Sequence, residues 1–509
     1  MAESSRTIAK TDPDAAVIHV DPARVLADID DKIYCGFLEH LGRCIYGGIV
    51  DYDCKIPGLT NDKGFRLDVA DAIKDLRMPM IRYPGGNFVS AYHWMDGVGP
   101  KENRPVRPEL AWRGREPNLF GTDEFMEWCE FMNVEPYLCF NMGTGTLDEA
   151  LAWLEYCNSD DDTYYANLRR KNGHDKPYNV KYWGLGNEVW NAWVVGQMTA
   201  EDYAKKADEW GKVLKMLDPS IILVACGFDG LHTWEYTVTQ KLINVCDMYS
   251  IHQYTCNYDH IQNVSCTAAA ERAIQIVAKL IDLSRITNQA SKRTMKIAMD
   301  EWNVWDYKRA NGENGAEEHY DLSDALAVAA WGNVFVRQAA HLGMANLAQC
   351  VNVIAPIMAR PDGIFLQTTY HTWKLLSHYM RGKSLALHVG SPMYEGPLDN
   401  THGDIPWLQD IESGIPMLDV SAALNDKKIY LSVVNRSETE AIKTRINLLG
   451  EYEEKVHVWS VYHEDVRAKN SFENPTNVGI EEWEYGLGEV KEGVVFREHS
   501  YTLLELRLK

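Results

Sequence analysis

The sequence predicts an α/β protein: a (β/α)8 TIM barrel followed by a C-terminal all-β sandwich of jelly-roll type. Three observations carry this. Between about residues 33 and 380, eight short apolar runs alternate with amphipathic segments of helical period. No Gly-x-Gly-x-x-Gly follows the first run, which sets a doubly wound dinucleotide fold aside. Beyond about residue 384, helical periodicity gives way to short strands separated by turn residues. The expected organisation is residues 1–30 as N-terminal strand(s) pairing with the sandwich, 31–383 as the barrel and 384–509 as the sandwich.

Taken in order, the barrel strands are expected at residues 33–38, 80–83, 136–141, 181–185, 221–226, 248–252, 296–300 and 345–352. Helical periodicity falls at 65–77, 123–133, 147–157, 201–217, 268–286 and 323–341. Thr146-Leu-Asp-Glu149 reads as a capping box that opens one of these helices. Sandwich strands are expected at 385–389, 417–422, 429–434, 443–448, 455–459, 494–497 and 501–508, with no helix among them. Residues 18–26 read as one more strand.

Lysine and arginine number 51 and aspartate and glutamate 73, so the formal charge is 51 − 73 = −22. That sign excludes a nucleic-acid binder or a surface for anionic lipid, both of which need an excess of cations. A hydrophobic share of 46% and a charged share of 24% exclude bulk disorder. The first twenty residues lack a basic segment followed by an apolar run, and no apolar stretch approaches the ~20 residues of a spanning helix. Eleven scattered cysteines without a CxxC pair read as reduced thiols, so a cytoplasmic location is expected. No zinc-type ligand spacing occurs, and neither a metal nor an organic cofactor is expected.

A barrel of this kind carries its chemistry at the C-terminal ends of its strands. There the sequence places Gly36-Phe-Leu-Glu39-His40, Arg82-Tyr-Pro-Gly-Gly-Asn87, Asn141, Gly184-Leu-Gly-Asn187-Glu188, His252-Gln-Tyr254 and Asp300-Glu301-Trp302-Asn303. Strand eight leads through Asn352 toward Gln367. Two carboxylates without a metal motif suit acid/base or nucleophilic catalysis, and glycoside hydrolysis needs such a pair about the scissile bond. Glu188 and Glu301 follow strands four and seven, across the barrel mouth from each other. The amides of Asn87, Asn187 and Gln367 both donate and accept, as a polyhydroxylated substrate requires. His252 and Tyr254 stand where they can tune the carboxylate pair. The competing readings are plain packing for His252, Trp302 and Trp305, a tight turn for the Pro-Gly-Gly segment, and an ordinary loop position for Gln367.

With these residues in view the chain resembles the α-L-arabinofuranosidases of glycoside hydrolase family 51. The segments that carry the resemblance are Gly36-Phe-Leu-Glu-His-Leu-Gly-Arg43, Tyr46-Gly-Gly48, Ile81-Arg-Tyr-Pro-Gly-Gly-Asn-Phe88 and Trp94-Met-Asp-Gly-Val-Gly-Pro100. Gly186-Asn-Glu188, Asp300-Glu-Trp-Asn-Val-Trp305 and Asn352-Val-Ile-Ala-Pro356 complete them. The resemblance implies Glu188 as acid/base and Glu301 as nucleophile of a retaining, exo-acting enzyme on arabinan- or arabinoxylan-type oligosaccharides. Glu39, Asn87, Asn187, Tyr254 and Gln367 are implied to hold the furanose, with Trp112 and Trp305 around it and His252 and Trp193 beside the pair. It also implies a homo-oligomer, commonly a hexamer built as a trimer of dimers. An endo-β-glycanase of the same barrel clan is the alternative. One departure stands out: Val189-Trp190-Asn191-Ala192-Trp193 holds Asn-Ala where Gly-Pro is expected between the tryptophans, beside the leaving group. Altered handling of leaving groups or acceptors is the expected result.

Overall fold

The structure, a computed structural model, describes residues 16–400 and 414–509. The first fifteen residues, on which the absence of a leader was read, lie outside the described residues. Eight parallel strands close a barrel in chain order: Cys35–Phe37, Met80–Tyr83, Glu135–Phe140, Tyr182–Leu185, Ile222–Ala225, Met248–Thr255, Lys296–Val304 and Leu342–Ala348. Closure is made by Asn346 opposite Cys35. Every expected strand is present, but two run on and one stops early. Strands six and seven stay paired as far as Thr255 opposite Val304. Strand eight ends at Ala348, four residues short of the expected end, because its partner, strand one, ends at Phe37.

Strand seven carries a bulge. Ser250 and His252, two residues apart on strand six, face Ala298 and Glu301, three apart. On the other side Met299 and Trp302 face Ala345 and Leu347. The extra residue breaks the alternation of faces, so the consecutive Asp300 and Glu301 both reach the barrel interior. Trp302 points outward and is fully buried against Trp331, Phe335 and Trp373 of the surrounding helices.

The barrel is closed from within near the N-terminal ends of its strands. Cys35, Met80, Tyr137, Tyr182, Val224, Met248, Ala298 and Met344 form one apolar cluster, with one residue from each strand. Side chains of this size fill an eight-stranded barrel completely.

The six expected helices are Leu67–Asp75, Thr122–Met132, Leu147–Asn158, Ala200–Leu217, Thr267–Thr287 and Leu322–Arg337. Five more were not expected: Tyr164–Lys171, Thr233–Leu242, His260–Ser265, Thr368–Tyr379 and Leu487–Glu492. Thr368–Tyr379 is rich in threonine and aromatics, which are indifferent helix formers, and burial of its Thr372, Trp373, Leu375 and Leu376 decides the matter. The capping box is half formed. Glu149 N donates to Thr146 Oγ1 at 3.2 Å, while the Glu149 carboxylate turns to His93 Nδ1 at 2.9 Å.

The C-terminal part holds a seven-stranded and a four-stranded sheet. The single strands expected at 18–26 and 385–389 are each divided between the two sheets. Ala16–Val20 and His388–Gly390 lie in the smaller sheet, and Val25–Ile29 and Gly382–Leu385 in the larger. A turn at Asp21, whose carboxylate accepts from Ala23 N, makes the first break. The expectation of no helix fails at Leu487–Glu492, and the edge strand Ile480–Gly486, with three glutamates in seven residues, gives no apolar signal to read. The helix Leu322–Arg337 seats this part on the barrel: Asn333 Oδ1 accepts from Ser421 and Ser432, and Arg337 pairs with Asp419 at 2.8 Å.

Because Trp302 is gripped by three aromatic rings one residue after Glu301, Trp302→Ala is expected to cost about 3–5 kcal/mol of stability. A denaturant midpoint equal to that of the parent protein would contradict this packing role.

Candidate active site

The site is built up from Arg82, which is fully buried in the barrel. Its Nη1 donates to Glu301 Oε1 at 2.5 Å, and its Nη2 to Asn187 Oδ1 at 2.6 Å. Its Nε lies 3.7 Å from Asp300 Oδ2. Asn187 in turn donates to Asn87 Oδ1 at 3.1 Å. The other oxygen of Glu301 accepts from Tyr254 OH at 2.9 Å. Two donors from opposite sides thus fix the Glu301 carboxylate with its charge toward the mouth.

Glu188 follows strand four on a turn that few side chains tolerate. Gly186 has φ +81°, and Glu188 itself φ +43°. A non-glycine residue held there stores strain of order 1–3 kcal/mol, which persists where function over-determines the backbone. The turn is pinned by Asn191 N to Glu188 O and by Met198 N to Val189 O, both at 2.8 Å. Glu188 Oε1 lies 2.9 Å from His252 Nδ1. An oxygen of Glu188 and an oxygen of Glu301 lie within 4.8 Å of each other.

A second carboxylate pocket explains the Pro-Gly-Gly segment. Glu39 accepts from Phe88 N at 3.0 Å, Trp112 Nε1 at 3.1 Å and Gln349 Nε2 at 3.1 Å. A Cβ on Gly86 would stand 2.5 Å from Glu39 Oε2, so glycine is what lets this carboxylate lie against the backbone. Burial and the neighbouring Glu301 push Glu39 up to about 8.

These groups face a cleft of about 960 Å³. Glu39, Asn87, Trp112, Glu188, Trp193, His252, Tyr254, Glu301 and Trp305 all line it. Trp193 is 67% exposed. Two of the expected sugar-binding residues do not reach the wall. Asn187 is buried beneath it between Arg82 and Asn87. Gln367 is also buried, and its amide is taken up by the backbone: it accepts from Tyr320 N and donates to the carbonyls of Glu318 and Ala355. The glutamine in the wall is Gln349, directly after the true end of strand eight, and it pairs with both the backbone and the side chain of Glu39. A strand eight expected to run to residue 352 places Gln349 inside the strand and not at its functional end. Phe228, Asp229 and His232, which follow strand five and line the cleft, also stand outside the expected set. Phe228 stacks on Trp190 at 3.5 Å and on His232 at 4.1 Å between ring centroids.

His252 is not a plain core residue. Besides Glu188, its Nδ1 lies 3.5 Å from Glu301 Oε2, and its Nε2 lies 3.3 Å from Asp300 Oδ1. Burial opposes a charge on the ring, but Glu301, Asp300 and Glu188 around it push its pKa up to about 10. Among the described residues, Glu188, His252 and Glu301 are the group whose donor atoms are close enough to hold a cation, all within 4.8 Å of one another. Arg82 and Tyr254 already occupy both oxygens of Glu301.

A (β/α)8 barrel that presents two close carboxylates, amides and aromatic faces in one cleft defines a glycoside hydrolase. Comparison with known proteins narrows the class. Residues 72–272 match the α-L-arabinofuranosidase 1 domain, and residues 300–500 the α-L-arabinofuranosidase C-terminal domain. The chain is 51% identical over 515 residues to a probable α-L-arabinofuranosidase C of Aspergillus niger, covering 98% of each protein. It is 36% identical over 472 residues to an intracellular exo-α-(1→5)-L-arabinofuranosidase 1 of Bacillus subtilis, covering 89% of this chain and 91% of the relative. The crystal structure of an α-L-arabinofuranosidase from Thermotoga maritima in complex with arabinose superposes with a TM-score of 0.88 at 40% identity, covering 97% of this chain and all of that one. The chain belongs to the α-L-arabinofuranosidases of glycoside hydrolase family 51.

Gly86→Ala tests the pocket around Glu39. Its methyl group displaces a carboxylate held by three donors, and a shift of this size is expected to lower kcat/KM on the order of 10²-fold with the fold intact. Unchanged kinetics would show that Glu39 tolerates the displacement and is not held for substrate.

Proposed function

We propose that this exo-acting α-L-arabinofuranosidase works by double displacement, with Glu301 as nucleophile and Glu188 as acid/base. Glu301 attacks the anomeric carbon while Glu188 protonates the departing oxygen. Glu188 then takes a proton from water, which releases the sugar with its configuration retained. The observation that carries this is the approach of the two carboxylates to within 4.8 Å. That spacing suits the ~5–5.5 Å of retaining enzymes and leaves no room for the water that an inverting pair holds between them. Glu39, Asn87, Gln349 and Tyr254 ring the same space and supply the donors and acceptors that a furanose needs. Substrates are terminal α-L-arabinofuranosyl residues on arabinan- or arabinoxylan-type oligosaccharides.

Two further parts of the reading concern the setting. A cytoplasmic enzyme suits the eleven free cysteines, ten of them buried, and the Bacillus subtilis relative is described as intracellular. Among the described residues no helix is long and apolar enough to cross a membrane. A homo-oligomer, a hexamer arranged as a trimer of dimers, is the assembly that sedimentation of the purified protein would test.

Turnover of 4-nitrophenyl α-L-arabinofuranoside, with proton NMR of the first-formed anomer, tests substrate and stereochemistry together. The α-anomer is expected first, and a first-formed β-anomer would remove the double displacement. Glu188→Ala should be slow on alkyl leaving groups and relatively spared on activated aryl ones, with azide restoring turnover; absence of rescue would take Glu188 out of the acid/base role.

Asn191 and the exposed Trp193 line the cleft on the Glu188 side, where the leaving group departs and an acceptor enters. Ala192 leaves the loop backbone freer than the expected proline would, so transfer to sugar acceptors is expected to compete with hydrolysis. Asn191→Gly combined with Ala192→Pro should lower the transfer-to-hydrolysis ratio. An unchanged ratio would detach the loop from acceptor handling.

A further inference from the structure

Beneath the reacting carboxylates lies a third that the double displacement does not use. Asp300 precedes the proposed nucleophile, and the bulge in strand seven turns it inward, where it is 2% exposed. Ser250 Oγ donates to its Oδ1 at 2.5 Å, and Tyr137 OH to its Oδ2 at 2.7 Å. Burial opposes its charge, yet Arg82 and His252 hold its carboxyl well below the usual carboxylate range. Asp300 is therefore a fixed anion with two hydroxyl donors behind it and one imidazole in front.

That imidazole is His252, whose two nitrogens face different carboxylates. Nε2 lies 3.3 Å from Asp300, and Nδ1 lies 2.9 Å from Glu188. A ring whose Nε2 stands against a buried carboxylate has only Nδ1 left for Glu188. One proton then occupies the space between Glu188 Oε1 and His252 Nδ1, and both groups bid for it.

We propose that Asp300 is a positioning residue for proton transfer: by accepting the Nε2–H of His252, it leaves Nδ1 to share a single proton with Glu188, so the acid is the Glu188–His252 pair. This rests on the acid/base reading of Glu188. In the first step the pair gives its proton to the departing oxygen as the bond to the anomeric carbon breaks and the bond to Glu301 forms. In the second the pair recovers a proton from the attacking water, and the bond to Glu301 breaks. His252 keeps its Nε2–H throughout. The arrangement also answers how a carboxyl among three other carboxylates delivers a proton that its neighbours would compete for: the ring aims that proton at one oxygen.

The sign of the pH dependence follows from the charges around the pair. Asp300 and Glu301 from strand seven face His252, together with Glu188 from the loop after strand four. Asp300 also faces Arg82, Tyr137 and the buried thiols of Cys139 and Cys226, while Glu39 and Tyr254 face Glu301. The negative charge of Asp300 favours the protonated pair. Removing it lets the proton leave at lower pH.

The test is Asp300→Asn, which keeps an acceptor for Nε2–H but removes the charge. The basic limb of kcat/KM is expected to move down by about one pH unit or more. The loss on methyl α-L-arabinofuranoside, which needs an acid, should exceed the loss on the 2,4-dinitrophenyl glycoside by at least about tenfold. An unmoved limb, or equal losses on both substrates, would overturn the proposal and leave Asp300 a packing residue. Tyr137→Phe and Ser250→Ala take a donor from Asp300 and keep its charge, so their basic limbs should stay in place or rise; a fall in either would overturn the proposal even if Asp300→Asn does not fold. Azide rescue of Glu188→Ala separates the two readings. Rescue with an unmoved Asp300→Asn limb removes only the role of Asp300, whereas failed rescue removes the acid/base assignment on which it rests.

Discussion

One buried guanidinium sets the geometry on which the site depends. Arg82 sits inside the barrel with no access to water, a position that is tolerable only because acceptors and negative charge surround its fork. Those acceptors are Glu301, Asn187 and, at longer range, Asp300, on strand seven and the end of strand four. The cation thus spans the barrel between Glu301 and the segment that carries Glu188. Shortening the side chain would take a donor from Glu301 and from Asn187 and a counter-charge from Asp300 at once, so this is a cooperative network rather than a sum of pairs. It also orders the layers of the interior: an apolar plug, then Arg82 with Asp300, Tyr137 and Ser250, then the reacting groups.

The scaffold and the loops divide the work. Glu301, His252 and Tyr254 stand on strands six and seven, the two longest of the barrel, which stay paired to their ends beyond the bulge. Residues that must be placed to within fractions of an ångström sit where the backbone has least freedom. Trp112, Trp193, Phe228 and His232 come from loops, and they form the walls that meet the rest of the substrate. Glu188 lies between these regimes, on a turn whose backbone strain is held by hydrogen bonds on both sides.

Much of this was legible in the sequence, for physical reasons that also mark where legibility ended. Eight apolar runs at barrel spacing were readable because strands buried on both faces must be apolar. Glu188 and Glu301 were readable because polar residues at the ends of such runs have few structural uses. Gln349 was not, since the end of strand eight depends on its pairing with a distant strand rather than on its own composition. Phe228 and His232 were not, since in the loop beyond strand five neither residue type separates a cleft wall from ordinary packing. The division of residues 18–26 between two sheets was hidden because alternation reports which face is buried and not which partner is chosen. The bulge at Asp300 was hidden for the same reason: two adjacent acids read as one inside and one outside until the register on both sides is known.

The plug formed by Cys35, Met80, Tyr137 and the five residues level with them has a consequence for traffic. It seals the barrel axis beneath the cleft, so nothing reaches the carboxylates from the N-terminal end of the barrel. Substrate, departing alcohol, water and released arabinose therefore all pass on the mouth side of the barrel. In the proposed double displacement, whichever molecule takes the place vacated by the leaving group decides the product.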